Sequence, residues 1–416
     1  MLYEESSVFR LKNGVRMVYS YNHSPVSHCA VLVDVGTRDE PEGKEGIAHF
    51  LEHVFFKGTR KRRAYQVLNR LEHVGGEINA FTTREDTCIH ASFSSEFMER
   101  SMELITDILF NSQFPVKEIE REKEVVLDEI NSYLDNPMEQ IMDDFESQVF
   151  RGNPLGNPIL GTHSSVRNYS RNDLLKFIQK NYHPNSLVFS YCGNLPVEKV
   201  HNLFTKYFSS IPFKNSSKSV RIKFKKKKIG HEIQRKNIIQ AHYTSGTTAY
   251  SVVNNKRISL FLLNNILGGP GLNSRLNMNI REKHGYTYHI ESSFVPFSDT
   301  GLFNIYLATE EKFLEKSIHL INMEVNKMKE KKISKTQLNQ YKKQLIGQIA
   351  IAMENKSNVM INHARSIIAY DKPVSFVDTV ENIEELTSDH LIETANEIFR
   401  DSKMGSLTFL PSKSEA

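Results

Sequence analysis

The sequence predicts a mixed fold of β-strands and α-helices that is divided into two similar domains. The chain has 416 residues, which is more than one hydrophobic core commonly supports, so two domains of about 200 residues each are expected. Strand-like and helical patterns both occur in the first half, and the second half repeats their order. An internal duplication explains this repetition.

The first half begins with strand patterns, continues through a helical pattern and a further strand region, and then becomes mostly helical. An Asn13-Gly14 turn pair lies in the first strand pattern, Gly75-Gly76 breaks the third, and Asn136-Pro137 ends the longest helical pattern. The predicted strands are 9–19, 27–36, 72–94 and 186–192, and the predicted helices are 46–56, 116–134, 138–150 and 171–180.

A basic segment separates the two halves. Residues 214–228 contain eight basic residues and no acidic residue. Such a run is usually a solvated linker, and the aromatic residues that would stack on nucleic-acid bases are absent apart from Phe224. The sequence therefore predicts a first domain at 1–213, a basic linker at 214–230 and a second domain at 231–416, with no nucleic-acid partner.

The second half has strand patterns at 237–246, 286–292 and 301–308, and a helix at 258–267 that takes the place of the first-half helix near residue 50. Where that first helix has histidine and glutamate, residues 260–264 read Leu-Phe-Leu-Leu-Asn. If the halves are related, the chemistry is retained in the first half.

Composition limits the cellular setting. The net charge of +4 is mild, 39% of residues are hydrophobic, and no apolar run approaches a membrane span, so no membrane partner is expected. The three cysteines, Cys29, Cys88 and Cys192, fit a reducing compartment rather than a disulfide framework. We expect a cytoplasmic protein, or an organellar matrix protein if a presequence has been removed.

A metal-binding pattern lies in the first-half helix at residue 50. His49, Glu52 and His53 are spaced so that their side chains share one helical face about one turn apart. Imidazole nitrogens suit zinc, and a neighbouring carboxylate can accept a proton from a water molecule that zinc has acidified. Two histidines on an amphipathic helix can also be ordinary core or surface residues, so the pattern needs a third ligand.

The helix at 116–134 offers candidates for that ligand. Glu118, Glu122 and Glu129 lie near one of its faces, and Glu122 and Glu129 are about 10 Å apart, so one of these two at most can bind the metal directly. Spacing does not choose between them, and a solvated acidic helix is the alternative interpretation.

The chain resembles the M16, or pitrilysin, zinc peptidases, whose inverted zinc motif is His-x-x-Glu-His. The resemblance extends in order along nearly the whole chain and is closest to the half-length members, which include processing-peptidase subunits and bacterial homologues. The matching segments are 36–40, 46–53, 57–59, 75–82, 122–129, 154–156, 159–162, 274–276 and 281–288. It implies an α+β fold of two similar domains, each an antiparallel sheet with helices packed on one face.

The resemblance also implies roles for individual residues. His49, His53 and Glu129 would bind one Zn²⁺ per chain, Glu52 would be the general base, and Glu122 would contact and orient a ligand.

Two further groups of residues receive roles in the same way. Asn79, Ala80 and Phe81 would lie on a strand that pairs with an extended peptide substrate. Arg281 and Tyr288 would support the substrate and the developing oxyanion. Tyr286 is a competing candidate for the role of Tyr288. The family more often has an aliphatic residue at position 286, so this chain departs from the family pattern there.

We therefore expect a zinc-dependent endopeptidase that hydrolyses unfolded peptides inside a dimeric chamber. A homodimer is favoured and a heterodimer with a related subunit is the alternative, with Arg281 and Tyr288 acting across the interface on the partner's zinc. Two other interpretations stay open. The chain could be a peptidase subunit of narrow processing specificity, or a non-catalytic partner subunit that supplies a peptide-binding wall.

Overall fold

The computed structural model describes residues 6–211 and 220–412, which form two compact units of mixed α-helix and β-sheet. The strands are β1 Ser6–Arg10, β2 Arg16–Tyr21, β3 Val26–Val33, β4 Glu77–Thr82, β5 Thr87–Ser94, β6 Leu187–Gly193, β7 His231–Lys236, β8 Ala241–Ala249, β9 Thr287–Pro296, β10 Gly301–Thr309 and β11 Gly405–Pro411. The helices are α1 Ile47–Phe55, α2 Ala64–Glu72, α3 Met98–Asn111, α4 Val116–Leu134, α5 Pro137–Val149, α6 His163–Arg167, α7 Arg171–Asn181, α8 Val197–Phe208, α9 Arg257–Gly268, α10 Leu314–Glu330, α11 Lys335–Ala352, α12 Lys356–Tyr370, α13 Phe376–Glu384 and α14 Ser388–Ile398.

The first unit is built on a six-stranded sheet in the order β1-β2-β6-β3-β5-β4. Its described pairs are antiparallel except for β2 with β6, which run parallel. One face packs against helices α1, α3, α4, α7 and α8, because alternate residues of the central strands, such as Val31, Ile89 and Phe189, are fully buried there. Strand β4 lies at the edge of the sheet.

The second unit repeats this arrangement. Its sheet has the order β7-β11-β8-β10-β9, with one parallel pair, β7 with β11, at the position that β2 and β6 occupy in the first sheet. Helix α9 occupies the position of α1 and packs on the same sheet face as α10 and α14. The repeated order supports the internal duplication that the sequence predicts.

Each half of the sequence supplies one helix to the unit built mainly from the other half. Residues 352–376, which include α12, belong to the first unit, and residues 132–156, which include α5, belong to the second. Met360, Ala364 and Ile367 of α12 are buried against Val18 and Leu32 on the second face of the first sheet. Helix α5 covers the second face of the other sheet through Ile141, Phe145 and Val149.

The predicted fold class is confirmed, since the chain forms two similar α+β units with largely antiparallel sheets. The exchanged helices add a layer that the prediction did not include, so each sheet is covered on both faces. The units are also discontinuous in sequence, whereas the predicted domains 1–213 and 231–416 are continuous. Of the predicted linker, residues 214–219 lie outside the described part of the chain, and 220–230 form no helix or strand.

No helix in the described ranges combines the length and the hydropathy that a membrane crossing requires.

Replacing Ile367 by alanine should lower the free energy of unfolding by about 2–4 kcal/mol, because it leaves a cavity between α12 and the first sheet. The matched control is Ile351→Ala, which removes a side chain that is 75% exposed and should cost less than about 0.5 kcal/mol. Urea unfolding followed by circular dichroism measures both changes. Equal small losses would contradict the packing of α12 on this sheet.

Candidate metal and active site

Helix α1 is held at its first turn by a buried carboxylate. Glu40 accepts hydrogen bonds from the backbone N–H groups of Gly46 and Ala48, at 2.8 and 2.9 Å, and burial raises the pKa of this carboxyl group. Gly46 has a φ of +88°, and a Cβ there would lie 2.5 Å from the Gly161 backbone. The chain therefore needs glycine at this entry to the helix.

Helices α1 and α4 bring three candidate ligands to one point. The Nε2 atoms of His49 and His53 are 3.3 Å apart. Glu129 on α4 places Oε1 3.7 Å from His49 Nε2 and Oε2 3.4 Å from His53 Nε2. Ligand atoms at the corners of a tetrahedron around zinc would be about 3.4 Å apart, given ordinary Zn–N and Zn–O bond lengths.

The donor set fits Zn²⁺. Two imidazole nitrogens and one carboxylate oxygen are the three protein ligands that catalytic zinc sites commonly use. Within the described ranges, Glu129 Oε2 is buried and makes no well-aligned hydrogen bond. Its neighbour is His53 Nε2 at 3.4 Å, and a buried carboxylate oxygen in this position needs a cation, either a metal ion or a protonated imidazole. The ligand atoms of His49, His53 and Glu129 all lie within 4.8 Å of one another.

The other two glutamates of α4 take different places. Glu118 pairs with Arg121 on the surface of α4. Glu122 is buried and lies 3.0 Å from His53 Nδ1, on the side of the ring away from Glu129. The geometry therefore favours Glu129 as the ligand, a choice that spacing along the helix left open.

Glu122 orients the His53 ring. Burial alone would raise the pKa of Glu122, but its hydrogen bonds with His53 and Lys57 outweigh burial and lower it. An ionised carboxylate only accepts hydrogen bonds, so His53 Nδ1 carries the proton and Nε2 is left to face the ligand cluster. Lys57 Nζ lies 2.7 Å from the second oxygen of Glu122 and compensates its charge.

Glu52 lies on α1 between the two histidines and is tied to the edge strand. The hydroxyl group of Thr82, the last residue of β4, donates a hydrogen bond to Glu52 Oε2 at 2.7 Å. Burial raises the pKa of Glu52, against the opposing effect of this hydrogen bond. A carboxylate with a raised pKa is a better proton acceptor than an ordinary surface glutamate.

The predicted substrate residues lie on β4 and are partly or fully exposed. Strand β4 pairs with β5 on one side, from Glu77 opposite Ser92 to Thr82 opposite Thr87, and forms the edge of the sheet. Asn79 uses its side-chain oxygen locally, to accept a hydrogen bond from the Ala80 N–H group. The ring of Phe81 packs beside His90, with ring centroids 6.0 Å apart.

Arg281 and Tyr288 belong to the second unit, so they are not part of the cluster within the first. Arg281 lies in a π-helical turn, Asn277–Glu282, and Tyr288 on the edge strand β9 is 89% exposed. Tyr286 is instead stacked between His284 and Phe313, with ring centroids 5.2 and 4.7 Å away.

Sequence reasoning did not assign roles to three residues that hold the cluster in place: Glu40, Lys57 and Thr82. Lys57 and Thr82 act through contacts with residues distant in sequence, Glu122 and Glu52, whereas Glu40 acts on the backbone of the helix that follows it. Their positions inside the matching segments 36–40, 57–59 and 75–82 were the available signal, but it carried no role for them.

Comparison with known proteins identifies the family of this chain. Residues 16–163 match the family described as Insulinase (Peptidase family M16), and residues 168–345 match the Peptidase M16 inactive domain. The chain belongs to peptidase family M16. The second match, to a domain described as inactive, coincides with the half that has an apolar helix α9 in place of the His/Glu cluster.

Named relatives of this M16 chain are bacterial. A Rickettsia bellii protein named as an uncharacterized zinc protease is 32% identical, over 96% of each chain. A Bacillus subtilis protein with a zinc protease name is 28% identical, over 94% of this chain and 95% of its own. A crystal structure of a Helicobacter pylori protease has the same fold, with a TM-score of 0.88 and 22% identity over 98% of this chain and 100% of that one. The names of the two sequence relatives support a peptidase, and the solved structure supports the fold.

Zinc binding to this site should release a proton. Without metal, burial, followed by the charge of His53, lowers the pKa of His49 to about 4. Burial also acts to lower the pKa of His53, but Glu122 and Glu129 outweigh it and raise that pKa to about 9. At pH 7 His49 is then neutral and His53 is cationic, with a second proton on Nε2 that must leave because metals bind neutral imidazole.

We expect about one proton released per zinc at pH 7, and an affinity that falls about tenfold for each pH unit between about 8 and 5. Calorimetric titration in buffers of different ionisation enthalpy counts the protons. Binding without proton release at pH 7 would show that His53 is neutral in the metal-free protein.

Proposed function

We propose that this protein is a zinc-dependent endopeptidase of the inverted His-x-x-Glu-His type that hydrolyses unfolded peptides. The observation that supports it most directly is the arrangement of three zinc-compatible donors, His49, His53 and Glu129, beside a half-buried glutamate, Glu52, that is hydrogen-bonded to an edge strand. One Zn²⁺ per chain would be held by these three donors.

When bound, zinc supplies a Lewis acid that polarises a carbonyl group and lowers the pKa of water to about 7. Glu52 then accepts the proton of the attacking water and donates it to the amine nitrogen that leaves. The Thr82 hydroxyl fixes the carboxylate through Oε2, so that the other oxygen can exchange protons without rotation of the group. Glu122 and Lys57 keep His53 aligned throughout.

The substrate would bind to strand β4 and extend the sheet by one strand. The backbone edge of β4 offers hydrogen bonds to any extended peptide, whatever the side chains, and Asn79, Ala80 and Phe81 would lie beside the cleaved bond. Folded proteins rarely expose a free extended segment, so unfolded peptides would be preferred.

Arg281 and Tyr288 would complete the site of a partner chain in a homodimer. A cation and a phenolic donor are suited to stabilising a developing oxyanion. Exposure of Tyr288 on an edge strand supports this role over Tyr286, which is committed to its stack with His284 and Phe313. A heterodimer with a related subunit and a bacterial cytoplasmic location stay predictions.

Replacing Glu52 by glutamine should lower kcat for a fluorogenic peptide by about a hundredfold or more, because the amide cannot accept the water proton. Zinc content should stay at that of the wild type, since Glu52 is not a ligand. Glu124→Gln, at an exposed position on α4, is the matched control and should retain full activity.

Peptide hydrolysis by Glu52→Gln at the wild-type rate would exclude Glu52 as the base. If the wild type binds no zinc and cleaves no peptide as a purified homodimer, the chain is instead a non-catalytic subunit of a heterodimer.

Mixing Glu52→Gln chains with Arg281→Ala chains should restore activity if the two groups act in trans. Random exchange gives mixed dimers in which one site has both an intact Glu52 and an intact partner Arg281. About a quarter of the wild-type activity is then expected, because half of the dimers are mixed and each has one complete site. Absence of recovery, with subunit exchange shown by native mass spectrometry, would exclude a shared site.

A further inference from the structure

The turn between β4 and β5, residues 83–86, is held by arginines from distant parts of the sequence. Arg38 Nη1 lies 2.6 Å from Glu85 Oε1, and Arg221 adds a second positive charge at 3.7 Å. Asp86 forms a separate pair with Arg365, which lies on the exchanged helix α12. This turn ends the strand proposed to bind the substrate.

Arg365 grips Asp86 with two nitrogens. Its Nε and Nη2 donate hydrogen bonds to Oδ2 and Oδ1 at 2.9 and 3.2 Å, the fork geometry that only arginine provides. Asp86 is also fixed from within the turn, where it accepts a hydrogen bond from the Thr83 hydroxyl at 3.0 Å. These contacts link α12 to the turn, and through the turn to the end of β4.

Arg365 touches β4 itself as well. Its guanidinium carbon lies 5.5 Å from the centroid of the Phe81 ring, within the range of a cation–π contact. Successive residues of a strand point to opposite faces, and Thr82, the next residue, donates its hydrogen bond to Glu52 from the other face. The end of β4 is thus gripped from both sides, by α1 and by α12.

We propose that Arg365 is a positioning residue that sets the edge strand β4 for peptide binding. The inference rests on the proposed function, because it concerns the strand expected to bind the substrate. The second half of the sequence, whose own helix α9 lacks metal ligands, thereby contributes a residue to the site of the first half. Arg365 acts through Asp86 and Phe81 and does not touch the zinc ligands.

The test compares Arg365→Met, which keeps an unbranched apolar stem but loses the charge and the guanidinium fork, with Arg365→Lys, which keeps the charge. Arg10→Met is the matched control, because Arg10 Nη2 donates hydrogen bonds to both carboxylate oxygens of Asp371 at the end of α12, away from β4. Hydrogen exchange of peptides covering residues 77–82 and the steady-state kinetics of peptide hydrolysis are measured for each.

For Arg365→Met we expect exchange in β4 to be about three- to tenfold faster and KM to rise by a similar factor, with kcat within about twofold of the wild type. Arg365→Lys should recover part of both changes, and Arg10→Met should alter neither. Asp86→Asn should reproduce the defect, with little further loss in the double variant Asp86→Asn and Arg365→Met.

Unchanged exchange in β4, or a loss of stability equal to that of Arg10→Met with KM unaltered, would overturn the proposal. The exchange measurement needs no catalysis. An inactive wild-type protein would therefore refute the proposed function, whereas the exchange rates would still decide whether Arg365 holds the strand.

Discussion

The candidate metal site depends on the close approach of helices α1 and α4, which brings the ligand atoms of His49, His53 and Glu129 together. On helix α1, the Nε2 atoms of His49 and His53 are 3.3 Å apart, and the carboxylate oxygens of Glu129 on α4 lie 3.4–3.7 Å from these nitrogens. The surrounding contacts keep this arrangement in place. Glu40 anchors the start of α1, the pair of Glu122 and Lys57 fixes the second imidazole, and a salt-bridged turn steadies the strand alongside. Each support is buried or partly buried, where electrostatic contacts are stronger than in water.

The two units share a strand order but differ in chemistry. In the second unit, α9 buries leucines where α1 carries its ligands, so this half has kept the architecture without the metal site. The second half of the sequence also contributes to the first unit, because its helix α12 covers the first sheet and carries Arg365. A duplication in which one copy loses its ligands leaves that copy free to specialise in support and in binding.

Much of this organisation could be predicted from the sequence, because periodicity and motif spacing are local. The pattern at His49, Glu52 and His53 indicated a metal site, and the repeated order of elements indicated two similar units. Helical spacing alone could not separate Glu122 from Glu129, since both lie on one face and the choice depends on where α1 approaches. The exchange of α5 and α12 between the units could not be predicted from the sequence either. An apolar stripe shows that a helix is buried, but it does not show against which sheet the helix packs.

The exchanged helices determine when each unit can be completed during synthesis. The second face of the first sheet carries the apolar residues Val18, Leu32 and Val188. During synthesis, α12 cannot cover these residues until it has emerged from the ribosome. An uncovered apolar face is prone to aggregation, so the chain is at risk of aggregation during this interval. Residues 352–376 complete the first unit only when most of the chain has been made. A truncated chain that ends before α12 would therefore hold its metal motif on an unfinished sheet.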